Sequence, residues 1–330
     1  MTATQKRHEH TILNCNVGSK MNITIKLRNY LITSLCLLVI GCQHNPTNDT
    51  DIVSDKSDQL IVTTWNVEHL AFPISEGCKP RSPDDLEKLQ NYAASLNSDI
   101  VALQEVGSAK AAHLLFPKEQ WNVYISDRPD SEPYECRRSG FKSTQQKVAY
   151  AVRKDLDVKS VNTLAEFGLD EPGLRHGLEL VVDTEIGTTT ILNVHMKSGC
   201  FVDDHTRSDS EACLLFSRQV PILDKWVEDK ERKGRPYPMV GDFNHRLSAP
   251  YNRLTRTLAN NSDNSDSNLY NRTRDLIGCH PYYPALIDHI FAGHILDAKY
   301  NFKTSTKAFE NMEPREMLSD HCAVILEIER

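Results

Sequence analysis

The stretch Tyr237-Pro238-Met239-Val240-Gly241-Asp242-Phe243-Asn244 runs from apolar residues into an acid, an aromatic residue and an amide. A second motif, Ser319-Asp320-His321, follows after 74 intervening residues and leads into the apolar run Cys322 to Ile328. Short runs rich in apolar and β-branched residues predict strands, so both motifs lie at strand ends. An acid, an amide, a second acid and an imidazole so placed are the groups that a metal-assisted hydrolase uses.

Further strand-like runs and two helical patterns surround these motifs. Ser82-Pro83-Asp84-Asp85 supplies an N-cap, a proline at the first helical position and acids in the first turn, which predicts a helix to about Leu96. A second helical pattern spans Glu211 to about Lys230, with Pro221 kinking it or dividing it in two. Many strands with a few long helices predict an α/β sandwich. The other predicted strands are Leu60 to Val67, Asp99 to Val106, Trp121 to Ser126, Lys147 to Arg153, Leu178 to Val182, Thr188 to Met196 and Leu286 to Ala292.

Polar residues recur where these predicted strands end. Strand ends hold side chains rigidly around a shared cleft, which catalysis requires. Each short motif alone is weak, because an Asn can cap a turn and a Glu can be a solvated strand end. Their order and number together predict one active site. The residues are Asn66, Glu68, Glu105, His195, Asp242, Asn244, Asp288, Asp320 and His321.

With these motifs in order, the chain resembles the endonuclease/exonuclease/phosphatase superfamily, the group of pancreatic deoxyribonuclease, over essentially residues 60–330. The resemblance implies a four-layered α/β sandwich, in which helices flank two packed, mainly antiparallel or mixed sheets. It also implies an enzyme that hydrolyses phosphoester bonds.

The resemblance assigns one group of residues to a divalent cation. Glu105 matches the principal metal-binding Glu of the family, Asn66 matches its early Asn, and Asp320 is a further candidate ligand. Glu68 lies two residues after Asn66 on the same side of a strand and could either hold the ligands in place from behind or bind a second metal ion. Hard oxygen ligands suit Mg²⁺ or Mn²⁺, with Ca²⁺ as a third candidate.

A second group is assigned to catalysis. Asp242, fixed by Asn244, is expected to orient or deprotonate the attacking water. His321, held in one tautomer by Asp288, is expected to donate to the phosphoryl oxygen or share the proton transfer. His195 is expected to stabilise charge from the other side.

Substrate contacts are less specific in the sequence. Arg153 closes a predicted strand, and Lys197 and Arg246 lie within two residues of matched positions, so all three are candidates for phosphate contacts. For each of the three, the alternative that it is simply an exposed surface residue has equal weight. The pair Tyr282-Tyr283 could stack on a base, meet a lipid head group or belong to the core.

The first 42 residues have the pattern of an export signal. Lys26 and Arg28 precede an apolar stretch from Tyr30 to Ile40, which is too short to span a bilayer. It ends in Gly41-Cys42, which resembles a bacterial lipobox with Cys42 as the lipidated residue. Residues 1–20 are interpreted as an upstream extension, with Met21 as the start.

This signal predicts a location outside the cytoplasm. Gln43 stands where an Asp would mark retention at the inner membrane in enteric-type bacteria, so we expect an outer-membrane lipoprotein facing the periplasm or the cell surface. Residues 43–58 are polar and predict a flexible tether, and residues 59–330 predict the catalytic domain. We expect the protein to be a monomer.

Cysteine usage agrees with export. Outside the signal segment six cysteines remain, an even number that suggests disulfides in an oxidising compartment. Cys200 with Cys213 is the best pair, because their bond would close the polar loop 201–212. A zinc site is the competing interpretation, although no CxxC spacing occurs among these cysteines.

Charge restricts the class of partner. The formal net charge is −7, and without residues 1–42 the remaining 33 basic and 44 acidic residues give about −11. An acidic body disfavours tight binding of a polyanion unless a cation is present. The sequence therefore leaves three hypotheses: a nuclease-type phosphodiesterase, a phospholipid or sphingomyelin phosphodiesterase, and a non-catalytic surface binding lipoprotein.

Overall fold

The computed structural model describes residues 59–137, 140–262, 265–295 and 299–330. The predictions for the signal segment, Cys42 and the tether lie outside these residues. Within the described ranges, no helix combines the length and the apolar character needed to cross a bilayer.

Strands dominate the described residues, and four α-helices lie between them. The strands are β1 (Gln59–Leu70), β2 (Ile100–Val106), β3 (Trp121–Ile125), β4 (Lys147–Arg153), β5 (Asp157–Leu164), β6 (Gly177–Thr184), β7 (Gly187–His195), β8 (Tyr237–Asp242), β9 (Leu269–Asn271), β10 (Asp288–Gly293), β11 (Asn301–Lys307) and β12 (Ala323–Glu329). The helices are α1 (Pro83–Ala94), α2 (Ala109–Leu115), α3 (Glu211–Glu231) and α4 (Arg253–Leu258).

These strands form two six-stranded sheets. Sheet one has the order β11-β12-β1-β2-β4-β3, and sheet two has the order β5-β6-β7-β8-β10-β9. Each sheet contains one parallel pair, β1 with β2 and β7 with β8, and its other neighbours are antiparallel. Parallel strands end at the same edge of a sheet, so the carboxyl ends of β1 and β2 lie together, as do those of β7 and β8.

Three apolar clusters separate four layers. Val62 of sheet one and Ile290 of sheet two belong to the cluster between the sheets. A second cluster joins sheet one to α1 and α2, with Trp65 against Tyr92 at 4.9 Å between ring centroids. A third joins sheet two to α3 and α4. The order helices, sheet, sheet, helices is the predicted four-layered α/β sandwich.

The predicted α1 is present with its cap. The Ser82 hydroxyl accepts from the Asp85 N–H at 3.1 Å, and the Asp85 carboxylate accepts from the Ser82 N–H at 2.9 Å. This reciprocal pair satisfies donors that the first helical turn leaves unpaired. The helix α3 continues through Pro221 as one element, so the alternative of two separate helices was wrong.

The sequence did not predict β5, β9, β11, α2 or α4. β5 and β11 each form one of the two edges of their sheet and have mixed, largely polar sequences. β9 is three residues long. Edge strands need little apolar surface, because one side of the strand has no neighbour and the exposed face meets water. Periodicity therefore carries little information about them.

All six cysteines of the described residues form disulfides. Cys200 pairs with Cys213, as the sequence predicts, and Cys279 pairs with Cys322. The third pair, Cys78 with Cys136, joins residues 58 positions apart. The zinc interpretation of these cysteines is wrong, because disulfide sulfurs carry no thiolate to bind a cation.

Candidate active site

Three predicted catalytic residues form one row across sheet two. His195 ends β7, Asp242 ends β8 and Asp288 begins β10, and Asp242 is the register partner of both others. β10 runs antiparallel to β8, so its first residue lies at the edge where β7 and β8 end. Strand register thus brings together side chains that are 47 and 46 residues apart along the chain.

Gly241 allows β7 and β8 to lie as they do. Its φ is 143°, and a Cβ at this position would lie 2.0 Å from the carbonyl oxygen of Val194. Any other residue would push β8 away from β7 and displace Asp242 from His195. The glycine of the Gly241-Asp242-Phe243-Asn244 motif is therefore required by backbone approach.

Asp242 is a buried carboxylate surrounded by donors. Its Oδ2 accepts from Asn66 Nδ2 at 3.0 Å and lies 3.3 Å from His195 Nε2, and its Oδ1 accepts from the Asn244 N–H at 2.8 Å. Burial raises the pKa of Asp242 to about 7, with His321 opposing this effect and Asp288 adding to it. A carboxyl group so placed can take a proton near neutral pH.

His195 is neutral in this setting. It is 2% exposed, and burial together with the charge of Arg175 holds its pKa well below the usual value. A neutral ring facing the Asp242 carboxylate through Nε2 carries its proton there and donates it. His195 therefore helps to fix Asp242 without adding a full positive charge.

His321 has the opposite tendency. Burial alone would lower its pKa, but the carboxylates of Asp288, Asp242 and Asp320 raise it well above the usual value. Its Nδ1 lies 2.7 Å from Asp288 Oδ2, and its Nε2 lies 3.9 Å from Asp242 Oδ2 and 3.8 Å from Asp320 Oδ1. The paired Nδ1 leaves Nε2 as the nitrogen that can act on a substrate.

Ser319 joins the His321 segment to sheet one. Its hydroxyl donates to the backbone oxygen of Asn66 at 2.8 Å and accepts from the His321 N–H at 3.1 Å. This side chain explains why a serine begins the Ser319-Asp320-His321 motif.

Sheet one contributes the acids through left-handed turns. Glu68, His69 and Glu105 have φ of 44°, 55° and 61°. Non-glycine residues adopt this region at a cost of about 1–3 kcal/mol, which surrounding contacts must offset. One such contact is Arg81, which is 5% exposed and donates to the backbone oxygens of Val67, Glu68 and Leu318 at 2.7, 2.8 and 2.9 Å.

Glu105 stays ionised despite burial. Its Oε2 accepts from the His69 N–H at 3.1 Å, and Arg175 Nη2 and His195 Nε2 lie 3.9 and 4.0 Å from its Oε1. Burial would raise its pKa, but His195, His69 and Arg175 lower it, and of these three Arg175 keeps its positive charge when both imidazoles are neutral. His69 and Arg175 were not among the residues predicted from the sequence. Their signals were His69 beside the Asn66 motif and Arg175 just before β6.

The donor chemistry fits a hard divalent cation. Burial and the charge of Asp320 raise the pKa of Glu68 even though Lys79 lies 3.0 Å from its carboxylate. Burial is the larger cause of this shift, and the second cause, the neighbouring Asp320 carboxylate, is negative charge that a cation would relieve. Glu105, Glu68 and Asp320 are the groups that would hold it.

The residues predicted to be catalytic lie closer together than the residues predicted to bind the metal ion. Among the described residues, Asp242, Asp288 and His321 form the one compact group of acids and imidazoles. Each offers one atom that could bind a metal ion, and these three atoms lie within 4.8 Å of one another. The amide of Asn66 is engaged at both ends, because its Oδ1 accepts from the Glu68 N–H at 3.0 Å while its Nδ2 serves Asp242. Asn66 thus orients Asp242, and its predicted place beside the cation stays a prediction.

Of the three residues predicted to contact the substrate, two lie at the cleft or at the end of β7, and one lies elsewhere. Arg246 is exposed and lines the cleft beside His321, and Lys197 follows the carboxyl end of β7. Arg153 was a wrong prediction. It ends β4, which is antiparallel to β2, so its N–H donates to the Asp99 oxygen at the start of β2 while Glu105 lies near the other end. Its side chain stacks on Trp121 instead, at 4.9 Å.

A family model described as the endonuclease/exonuclease/phosphatase family matches residues 63–321. The chain belongs to this family. Members of the family hydrolyse phosphoester bonds and typically use divalent metals, so the chain is a phosphodiesterase- or nuclease-type hydrolase. A search of curated proteins found no match.

Solved structures share the fold at low identity. The catalytic domain of human nocturnin with bound sulfate is 15% identical, with a TM-score of 0.58 over 83% of this chain and 95% of nocturnin's. D. rerio TDP2 complexed with single-strand DNA product is 14% identical, with a TM-score of 0.57 over 82% and 99%. An endonuclease/exonuclease/phosphatase from Bacteroides vulgatus is 17% identical, with a TM-score of 0.56 over 82% and 98%. These likenesses show the family fold.

Proposed function

We propose that the protein is an exported, divalent-metal-dependent phosphodiesterase that cleaves nucleic acid by attack of water. The observation that carries the proposal is the environment of Asp242. This carboxyl group is buried, is fixed by neighbouring amides, and has its pKa raised to about 7. A base with this pKa is half ionised near neutral pH and can remove a proton from water during attack.

Two asparagines and one histidine orient the Asp242 base. Asn66 donates to its Oδ2, while Asn244 donates through its backbone N–H to Oδ1 and through Nδ2 to Oδ2 at 3.2 Å. His195 faces the same Oδ2. Because Asn66, Asn244 and His195 all contact it, the Asp242 carboxylate keeps one orientation. A water molecule bound to this carboxylate is then already oriented for attack.

His321 supplies charge and a proton beside the same carboxylate, with its Nε2 3.9 Å from Asp242 Oδ2. Its raised pKa keeps the ring protonated at neutral pH, and Asp288 holds the Nδ1–H. The Nε2–H is then available to a phosphoryl or leaving oxygen as negative charge develops.

The acids of sheet one are proposed to hold the cation. Glu105 is the principal ligand because it remains anionic, and Glu68 and Asp320 complete the set of oxygen donors. When bound, a Mg²⁺ or Mn²⁺ ion neutralises phosphate charge and polarises the bond to phosphorus.

Nucleic acid is the preferred substrate class. Arg246 lines the cleft, and Lys197 lies two residues after His195 at the end of β7, so each is a candidate cationic contact for a polyanion within an acidic body. The product complex of TDP2, an enzyme with the same fold, contains single-strand DNA. A phospholipid phosphodiesterase is the second candidate, because the Gly41-Cys42 sequence would place the enzyme at a membrane.

The proposed location rests on two features. Residues 26–42 have the layout of a lipoprotein signal, with Cys42 as the anchor. Three disulfides among the described residues suit an oxidising compartment outside the cytoplasm. Labelling with a radioactive fatty acid, lost in Cys42→Ala, would support the anchor, and an unlabelled wild-type protein would refute it.

A substrate panel tests the proposed function. Protein expressed from the full chain and purified in mild detergent is mixed with single-stranded DNA, plasmid DNA, RNA, sphingomyelin and phosphatidylcholine under one Mg²⁺ or Mn²⁺ condition. We expect cleavage of nucleic acid that EDTA abolishes and that Asp242→Asn lowers by about 10²- to 10⁴-fold. Cleavage of lipid alone would favour the second candidate, and no turnover of any phosphodiester would refute both.

A further inference from the structure

One wall of the active-site cleft carries exposed aromatic rings that the proposed chemistry does not use. We call residues 278–287 the aromatic loop. Tyr282 and Tyr283 of this loop are 70% and 72% exposed, and Phe201, which lines the same cleft, is 70% exposed. Large aromatic side chains left in water at one place indicate a surface that binds something.

The aromatic loop is built as a fixed element. The Gly278 N–H donates to the Pro284 oxygen at 2.8 Å and closes the loop at its base. The Tyr283 N–H donates to the His280 oxygen at 3.1 Å, and the rings of His280 and Tyr283 lie 5.0 Å apart. These contacts hold the loop that carries the two tyrosines in one conformation, which lowers the entropy lost when a ligand stacks on them.

A disulfide couples this loop to the catalytic histidine. Cys279 lies inside the loop and is bonded to Cys322, which directly follows His321. The Thr306 hydroxyl also donates to the Ile277 oxygen at 3.3 Å. The position of the tyrosines is thus set relative to the proton donor.

The aromatic wall and the catalytic groups share one cavity. This cleft has a volume of about 620 Å³ and is lined by His321, Asp288 and Asn244 as well as by the aromatic loop. Sites of this size accept ligands as large as a nucleotide. A group bound to Tyr282 and Tyr283 therefore adjoins the bond that is cut.

We propose that the aromatic loop is a binding subsite for an unpaired nucleobase next to the scissile phosphate, and that the Cys279–Cys322 disulfide positions it. This inference rests on the proposed function, because the neighbouring phosphate is cut by the same His321 and Asp242. Aromatic side chains bind single-stranded nucleic acid by stacking, since every base presents a flat π face. A base in a duplex is already stacked and cannot reach such a platform.

The charges of the cleft favour a nucleotide over a choline head group. Aromatic rings also bind quaternary ammonium ions, and a fixed positive charge beside such a ring opposes this binding by repulsion. Here Arg246 lines the cleft and is always charged, while the two carboxylates of the lining are already assigned, Asp288 to His321 and Asp320 to the proposed cation. A guanidinium group repels choline and attracts the next phosphate of a strand.

The test compares two oligonucleotides of equal length, one of thymidines and one in which abasic residues replace them. Wild type, Tyr282→Ala/Tyr283→Ala, the matching Tyr→Phe double variant and the control Tyr251→Ala are purified from the full chain. Tyr251 is a suitable control because it is 64% exposed and lies outside the cleft lining. Binding is measured by fluorescence anisotropy and cleavage by gel, with folding checked by thermal melting.

We expect wild type, the Tyr251 control and the Tyr→Phe variant to prefer the thymidine strand. The Tyr→Ala double variant should lose about 5- to 150-fold in kcat/KM for that strand, mainly through KM, and change little on the abasic strand. Cys279→Ser/Cys322→Ser should lose part of the same preference. Equal affinity of wild type for both strands, or an unchanged preference in the Tyr→Ala variant, would overturn the subsite.

The two proposals fail in different ways. Preferred binding of the thymidine strand without cleavage of either strand would overturn the proposed function and retain the subsite. Cleavage of both strands at equal kcat/KM would retain the function and overturn the subsite. A Tyr→Ala variant that loses affinity for phosphatidylcholine vesicles, but not for thymidines, would overturn the nucleobase in favour of a lipid.

Discussion

Replacing Asp288 by Asn tests whether a carboxylate on His321 Nδ1 drives catalysis. The substitution keeps the size of the side chain and an oxygen that can accept the Nδ1–H, so only the negative charge is removed. Asp288 Oδ2 lies 2.7 Å from Nδ1, and the two side chains are 6% and 13% exposed. The ion pair is therefore poorly screened by water.

Two estimates bracket the effect of this substitution. A hydrogen bond to a charged group contributes about 1.5–3 kcal/mol and a neutral one about 0.5–1.5, so at least about 1 kcal/mol is lost. The Coulomb attraction of two unit charges at 2.7 Å with an effective dielectric of about 20 is about 6 kcal/mol, which is an upper limit. These values correspond to about 5-fold and about 10⁴-fold in rate, so we expect kcat to fall by about 10²- to 10³-fold.

The assay is kcat on single-stranded DNA at saturating Mg²⁺, for Asp288→Asn, His321→Ala and the double variant. Asp275→Asn is the matched control, because that carboxylate is 89% exposed. If Asp288 acts through His321, the double variant should be no slower than His321→Ala alone. Multiplied losses in the double variant, or a loss below about fivefold in Asp288→Asn, would refute this role.

Three further outcomes are expected. With its pKa raised to about 7, Asp242 becomes protonated and inactive as a base below that pH, so kcat/KM should rise with pH to about 7 and then level. A kcat/KM that stays the same between about pH 5 and about pH 7 would contradict the assignment of Asp242 as the base. Glu105→Gln should need at least about tenfold more Mg²⁺ for half-maximal activity, because it removes a buried anion, and an unchanged Mg²⁺ titration would exclude Glu105 as a ligand. Gly241→Ala should lower the free energy of unfolding by about 2–4 kcal/mol in urea titrations, since its Cβ would meet the Val194 oxygen; wild-type stability would show that β7 and β8 can separate.

The fold could be predicted from local patterns where both faces of a strand are buried. Central strands such as β1, β2, β7 and β12 have runs of apolar residues, because helices or a second sheet cover each face. The edge strands β5 and β11 lack this pattern and were missed, whereas the edge strand β3 is richer in apolar residues and was predicted. Local sequence contains little information about a strand that is held mainly by one neighbour.

The candidate site could be predicted where its residues lie in short motifs. Asp242 and Asn244, or Asp320 and His321, are close in sequence because one strand end presents both. His69 and Arg175 have no such motif, and only the folded chain shows that they surround Glu105. Arg153 shows the converse, because an arginine at a strand end was assigned to the site although its strand runs the other way.

The sequence by itself determined the family, the layered α/β class, the acids and imidazoles of the site, and the Cys200–Cys213 bridge. These features depend on residue types at short spacings, and such local patterns can be recognised in the sequence without the folded structure. Only the tertiary structure decided which charges meet at Asp242, which arginine faces Glu105, and that the Cys279–Cys322 bridge ties the tyrosines to His321. Charge and proton affinity depend on distances of a few ångströms between segments far apart in sequence, and packing alone sets those distances.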